Sequence, residues 1–295
     1  MRTHRAKVLG RRQLSANLVT ITLGGLEGYC STGVPDEYIR VVLAPEGAEL
    51  ALPEITDDWT ITYPDGAAEP AMRVYTISDF RVVDGAAQID LDVALHDVGI
   101  GSQWARTCRP GDEVGVLEPH GLYAAPAGVA WQLLVSDITG LPALARILRG
   151  LEPGQRVEAE VVLTDPADEI ALPSPADVSV RWTIVERETD ICDALTRAVT
   201  SRELPVDGEP RYVWLAGEAR SSRAVRRHLR RELAWPQSDF YTCGYWQIDA
   251  AKWDARYKEV ADEVTRAAAA VAERLGDDQG AYLDALDDIY DRAGL

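Results

Sequence analysis

Leu133-Leu134-Val135-Ser136-Asp137-Ile138-Thr139-Gly140-Leu141-Pro142-Ala143-Leu144 is the stretch that decides the fold. A buried apolar strand passes through a short polar turn into a helix, and Pro142 suits the first helical turn because its missing N–H is not needed there. The same alternation continues downstream. Strands are predicted over Trp131–Ser136, Val157–Thr164, Val178–Val185, Tyr212–Ala216 and Phe240–Cys243. Helices are predicted over Pro142–Leu151, Asp190–Ser201 and Ser221–Leu233. Strand and helix in alternation make a parallel sheet with helices on both faces, whose ligands bind beyond the carboxyl ends of the strands.

Upstream the rhythm is different. Short strands over Leu18–Leu23, Tyr38–Leu43, Arg73–Ser78, Gln88–Asp97 and Glu113–Glu118 are separated by Gly, Pro and Asp, as in a small antiparallel barrel. The segment Ala48–Ala71 carries Pro53, Pro64 and Pro70 and reads as a long loop over one barrel face. The Gly121–Gly128 stretch is the linker between the two patterns. After Ile248, Trp253, Tyr257, Val260, Val264, Val271 and Leu275 fall on one helical stripe, and Tyr282, Leu283, Leu286, Ile289 and Tyr290 on a second, acidic one. A packed appendage and a dimer contact both fit those stripes. The expected organisation is therefore a Greek-key β-barrel over residues 1–125, a parallel α/β domain over 126–248 and a helical extension over 249–295.

A chain of 295 residues with 46% hydrophobic residues can fill two cores. Its net charge of −18 disfavours nucleic acid and anionic membrane as partners. The basic start Met1-Arg2-Thr3-His4-Arg5-Ala6-Lys7 leads into no apolar leader, and no later stretch is apolar for a membrane span, so a cytoplasmic protein is expected. Cys30, Cys108, Cys192 and Cys243 lie too far apart for a metal-ligand spacing and read as reduced apolar residues. No metal site is expected.

Four short elements carry chemistry. In Arg73-Val74-Tyr75-Thr76 a guanidinium that can pair a diphosphate shares a strand face with a ring that can lie on a flat heterocycle, as a flavin dinucleotide requires. In Leu95 to Ala105, His96 points away from the barrel core. The glycines that follow allow close backbone approach, and Ser102 is the expected N-cap of a helix whose free N–H groups suit an anion. Trp104 there reads as packing. The turn quoted at the outset and Tyr212-Val213-Trp214-Leu215-Ala216-Gly217-Glu218 both end strands on one sheet edge, although neither carries the full dinucleotide glycine fingerprint.

Together, R-x-Y-T, L-H-x-x-G-x-G-S-x-W-A, D-x-T-x-L-P-A, W-x-A-G-E and Gly244-Tyr245-Trp246 resemble, in order and spacing, the siderophore-interacting proteins, a branch of the ferredoxin reductase-like flavoproteins. The resemblance spans roughly Val8 to Trp246. It implies an FAD-dependent ferric-siderophore reductase drawing on NADH or NADPH, with a ferric siderophore as partner. It also implies cofactor contacts along Arg73, Val74, Tyr75, Thr76, Ile77 and Ser78, with Arg73 on the FAD phosphates and Tyr75 against the ring system. His96 would approach the flavin, and Val98, Gly99, Gly101, Ser102 and Gln103 would cradle the pyrophosphate. Asp137 and Thr139 would line the nicotinamide site, Gly217 and Glu218 would close it, and Tyr245 and Trp246 would approach the exposed flavin face.

Three positions depart from the family pattern. Ser78 stands where relatives often carry a second Arg, and Ser136 and Ile138 replace the Gly and Glu that commonly flank the Asp. The arginines Arg220, Arg223, Arg226, Arg227, Arg230 and Arg231 on one helix could attract a 2′-phosphate or an anionic chelate, or pair with local carboxylates. A flavin reductase with another acceptor and a non-catalytic FAD- or chelate-binding protein are the rival functions.

Overall fold

A computed structural model describes residues 2–56, 60–97, 99–205, 210–276 and 278–295. In β7 (Ala86–Ala94), Ile89, Leu91 and Val93 are buried while Asp90 and Asp92 alternate with them on the outer side, the period of two that makes a barrel wall. Among the described residues β1 (Thr3–Gln13), β2 (Leu18–Leu26), β3 (Tyr38–Leu43), β6 (Ala71–Val83), β7 and β8 (Glu113–Leu117) close an antiparallel barrel. Its order is β1-β2-β7-β6-β3-β8, with Val19, Ile21, Leu23, Ile39, Val41 and Val116 in the core.

Two expectations change here. The barrel begins with β1, before Leu18: its sequence is rich in Arg and Lys, and only Ala6 and Val8 turn inward, which hides the alternation. The segment Ala48–Ala71 is not loop throughout, because β4 (Glu54–Ile55) and β5 (Ile61–Thr62) pair as a small antiparallel hairpin. Helix α1 (Ile100–Thr107) connects β7 to β8.

The second layered unit is a parallel sheet of β9 (Trp131–Asp137), β10 (Arg156–Leu163), β11 (Asp177–Ile184), β12 (Arg211–Glu218) and β13 (Phe240–Trp246), in the order β11-β10-β9-β12-β13. Every residue of β9 is buried, which explains an apolar run without alternation. Helix α2 (Leu141–Arg149) packs Leu144 and Leu148 onto one face with Leu134, Val161 and Trp214. Helices α3 (Ile191–Thr200) and α4 (Ala219–Arg227) bring Leu195 and Val225 to the other with Leu133, Val135 and Leu215. The chain order reverses between β9 and β12, the switch point at which such sheets take nucleotides.

Polar contacts fix the barrel to the sheet unit. Arg146 of α2 donates to the Ile77 carbonyl at 2.7 Å and to Glu37 at 2.8 Å, and Arg149 donates to the Ser78 carbonyl. Buried Asp36 accepts from the Leu122 and Tyr123 amides, both at 2.7 Å, and from the Trp214 indole at 3.3 Å. Asp168 accepts from the Asn17 amide at 2.6 Å and the Ser15 hydroxyl at 2.7 Å.

The C-terminal helices α5 (Ala250–Leu275) and α6 (Gln279–Ala293) pack on each other, and α6 pairs with the arginines of α4 and of the helical turn His228–Glu232 that continues it. Arg226 pairs with Asp287, Arg227 with Asp291 at 2.6 Å, Arg230 with Asp284 at 2.9 Å and Arg231 with Asp288 at 3.0 Å. Of the two readings of that helix, these four arginines follow carboxylate pairing, but the carboxylates come from over fifty residues away. Among the described residues no helix is long and apolar enough to cross a membrane.

Candidate functional site

A cavity of about 430 Å³ lies where the barrel meets the carboxyl ends of the sheet strands. The barrel supplies Arg73, Val74, Tyr75 and Thr76 from β6, then His96, Gly99, Gly101 and Ser102 from the turn into α1. The sheet unit supplies Thr139, Tyr245 and Trp246. Sequence reasoning missed Tyr38, Asp92, Ala94, Leu122, Cys243 and Gly244 as lining residues. Tyr38 lies in register with Thr76 across β3 and β6, a relationship visible only once the strands are paired. Cys243 and Gly244 could have been found from their place just before Tyr245.

The remaining expected site residues lie elsewhere. Ile77 is buried in the barrel core, and Ser78 is buried with its hydroxyl donating to the Asp90 carbonyl at 3.1 Å. Gln103 is exposed on α1, away from the cavity. Asp137, Gly217 and Glu218 are buried behind the wall. The Glu218 side chain caps α4, accepting from the Arg220 and Ser221 amides at 2.7 and 3.1 Å. Val98 lies outside the described residues. The other departures sit close by: Ser136 is buried with its hydroxyl unpartnered among the described residues, and Ile138 packs at the edge of the core beside α2.

Ser102 is not the N-cap. Gly99 occupies that position with φ +119° and no side-chain cap, and the Ser102 hydroxyl instead accepts from the His96 amide at 2.9 Å. The correction leaves the first-turn N–H groups of α1 without a capping side chain, which suits an anion better than the expected cap would. Arg73 makes no ion pair among the described residues, its guanidinium donating only to the neighbouring Met72 carbonyl at 2.8 Å. At Gly101 an added Cβ would lie 2.3 Å from the Tyr75 hydroxyl, so ring and backbone meet closely where a ligand would rest. Trp104 packs against the barrel core with its ring 6.0 Å from Tyr75. A guanidinium with no carboxylate partner among the described residues, a helix start without a capping side chain and a glycine cradle beside an aromatic ring together fit a flavin dinucleotide.

The electrostatics of the cavity discourage side-chain nucleophiles. Burial pushes the Tyr75 phenol up to about 12, against the pull of Arg73. Burial likewise raises the Tyr245 phenol and the Cys243 thiol, so both keep their protons near neutrality. Asp92, which reaches the cavity from β7, is raised by burial despite the hydrogen bond from Thr20. His96 faces across the cleft, its Nδ1 3.8 Å from Glu188 and its ring 6.4 Å from Trp246.

Comparison with known proteins agrees with this geometry. Residues 7–123 match the siderophore-interacting FAD-binding domain model, and residues 129–249 match the siderophore-interacting protein model. The chain is 27% identical to the NADPH-dependent ferric-chelate reductase of Escherichia coli, over 83% of this chain and 93% of that one. It superposes on a siderophore utilization protein from T. fusca with a TM-score of 0.71 at 28% identity, covering 83% and 93% of the two chains. For the siderophore-interacting protein SipS from Aeromonas hydrophila the TM-score is 0.66 at 27% identity, covering 83% and 98%. The matched domains end at residue 249, so α5 and α6 are additional to them.

Proposed function

The chain belongs to the siderophore-interacting protein family, and from that premise we propose that it uses NADH or NADPH to reduce the iron of a ferric siderophore and release it as Fe(II). It is an FAD-containing oxidoreductase. The observation that supports the finer reading is a cavity lined both by Arg73, Tyr75 and the glycines at the start of α1 and by the strand ends of the parallel sheet.

FAD held there would supply the two-electron to one-electron redox chemistry that links a hydride donor to Fe(III). In this reading Arg73 and the start of α1 would hold the diphosphate, Tyr75 would lie against the ring system, and Thr76 and His96 would border it. The carboxyl ends of β9 and β12 receive the nicotinamide dinucleotide, with Thr139 on the cavity wall. Burial keeps the Tyr75 phenol and the Cys243 thiol protonated, so in this reading they orient and exclude water rather than react. The ferric chelate is substrate: reduction weakens the hold of hard oxygen ligands on iron. A cytoplasmic setting belongs to the same proposal, since reduced nicotinamide is kept there.

The test is anaerobic mixing of the FAD-loaded protein with NADH or NADPH, followed by a ferric siderophore. Flavin absorbance should bleach with nicotinamide and return with the ferric chelate. Bleaching without chelate-dependent return would instead favour a flavin reductase with another acceptor.

A further inference from the structure

Asp137 closes β9 with no solvent exposure, and no ion pair reaches it among the described residues. One carboxylate oxygen accepts from the Thr139 amide at 2.9 Å and the Thr139 hydroxyl at 2.6 Å. The other accepts from the indole Nε1 of Trp246 at 2.7 Å. Gly217 leaves the room for this, since a Cβ there would lie 2.5 Å from the same oxygen. The carboxyl is therefore built into the wall, and both of its side-chain partners, Thr139 and Trp246, line the cavity.

Trp246 itself lines the cavity on the side of the parallel sheet, with Thr139 and Cys243 to Tyr245. Hydride transfer needs the reacting atoms about 3–3.5 Å apart, so no side chain can stand between donor and acceptor. Trp246 ends β13, the strand beside β12, and so stands at the strand ends where such sheets take nucleotides. We propose that Asp137 is a positioning residue that latches Trp246 across the nicotinamide side of the cavity, and that the reduced nicotinamide must break this bond to reach the flavin. The inference rests on the flavoprotein reading above. A latched indole lowers the fraction of protein ready to accept nicotinamide, and apparent affinity falls in proportion.

The experiment uses the full-length, FAD-loaded protein and three variants, Asp137→Leu, Asp137→Asn and Trp246→Phe. Leucine cannot accept the indole N–H and phenylalanine has none to give, so each should lower the KM for the reduced nicotinamide about tenfold while kcat shifts far less. Fluorescence of the bound flavin should rise in Asp137→Leu as the indole leaves its fixed place. Asp137→Asn, whose amide oxygen still accepts, should recover most of the parental KM and fluorescence. In a Trp246→Phe background, Asp137→Leu should add nothing. A KM that rises or stays put in the variants, or an Asp137→Leu effect that persists without Trp246, overturns the latch. If Asp137→Leu does not fold, the KM of Trp246→Phe decides by the same criterion. A parent protein that takes up no FAD overturns the flavoprotein reading and the latch together, whereas an FAD-loaded parent with unresponsive variants overturns the latch alone.

Discussion

Arg146 on α2 donates to Glu37 of the barrel at 2.8 Å, and Glu37 is wholly buried at the joint between the two halves of the molecule. The same guanidinium holds the Ile77 carbonyl, one residue after Thr76 on the cavity wall. The joint and the cofactor cavity are thus one construction.

Burial works to raise the Glu37 carboxyl, but hydrogen bonds from Ser31, Thr32 and Arg146 outweigh it and hold the group below its ordinary value. A lowered folded-state value contributes stability that is full above the ordinary carboxylate range and lost as pH falls through the lowered value. Acid should therefore loosen the joint and release FAD, read as a rise in flavin fluorescence below about pH 4. Asp36 and Asp137, raised by burial, act with the opposite sign, favouring the folded state toward low pH. The difference between the parent and Glu37→Gln isolates the Glu37 contribution. Arg146→Ala should cost roughly 3 kcal/mol in urea unfolding, because it leaves a buried carboxylate short of its cation.

Arg73→Ala should weaken FAD binding by about ten- to a hundredfold, the loss of one charge-assisted diphosphate contact. Fluorescence titration of the cofactor-free protein measures it. The unfolding midpoint without FAD should barely move, since Arg73 pairs with no carboxylate among the described residues.

Gly101→Ala places a methyl group where the Tyr75 hydroxyl now sits 2.3 Å from the ideal Cβ position. The ring must swing and carry its face away from the cavity. FAD affinity should fall at least tenfold with a stability loss of only about 1–2 kcal/mol, the ordinary cost of local overpacking. Tyr75→Phe in the same chain should restore part of the affinity.

The acidic helix α6 closes on α4 through Arg226–Asp287, whose side chains are nearly buried. Asp287→Ala leaves that cation unpaired and should cost roughly 3 kcal/mol. Truncation after Ile248 should expose the arginine face and lower the unfolding temperature. FAD binding should survive, because every lining residue of the cavity precedes Asp249. Differential scanning calorimetry and flavin absorbance of the shortened protein test the two halves of that expectation.

Much of this fold was legible because its strands obey simple patterns. Tyr38–Leu43 and the alternating β7 read directly, and the buried run of β9 announced a parallel sheet. What failed depends on partners distant in sequence. The β1 alternation is masked by basic residues and becomes plain only when Thr3 to Lys7 pair with β8. Ser102 looked like a cap because its type and place suit one, yet its hydroxyl is taken by the His96 amide. The arginine run gave no hint of its partner from its own segment. Asp284, Asp287, Asp288 and Asp291 on one helical stripe were the available signal. The placing of Asp137 behind the wall, with its hold on Trp246, required the strand ends to be assembled in space.

The most direct measurement is the anaerobic yield of Fe(II) from a ferric siderophore, trapped by a ferrous-specific chelator, with FAD-loaded protein and limiting NADH or NADPH. Hydride carries two electrons and each Fe(III) takes one, so two Fe(II) should appear per nicotinamide oxidised, and Arg73→Ala at subsaturating FAD should lower the rate. Nicotinamide oxidation with no Fe(II) above that given by free FAD would contradict the ferric-siderophore reductase assignment.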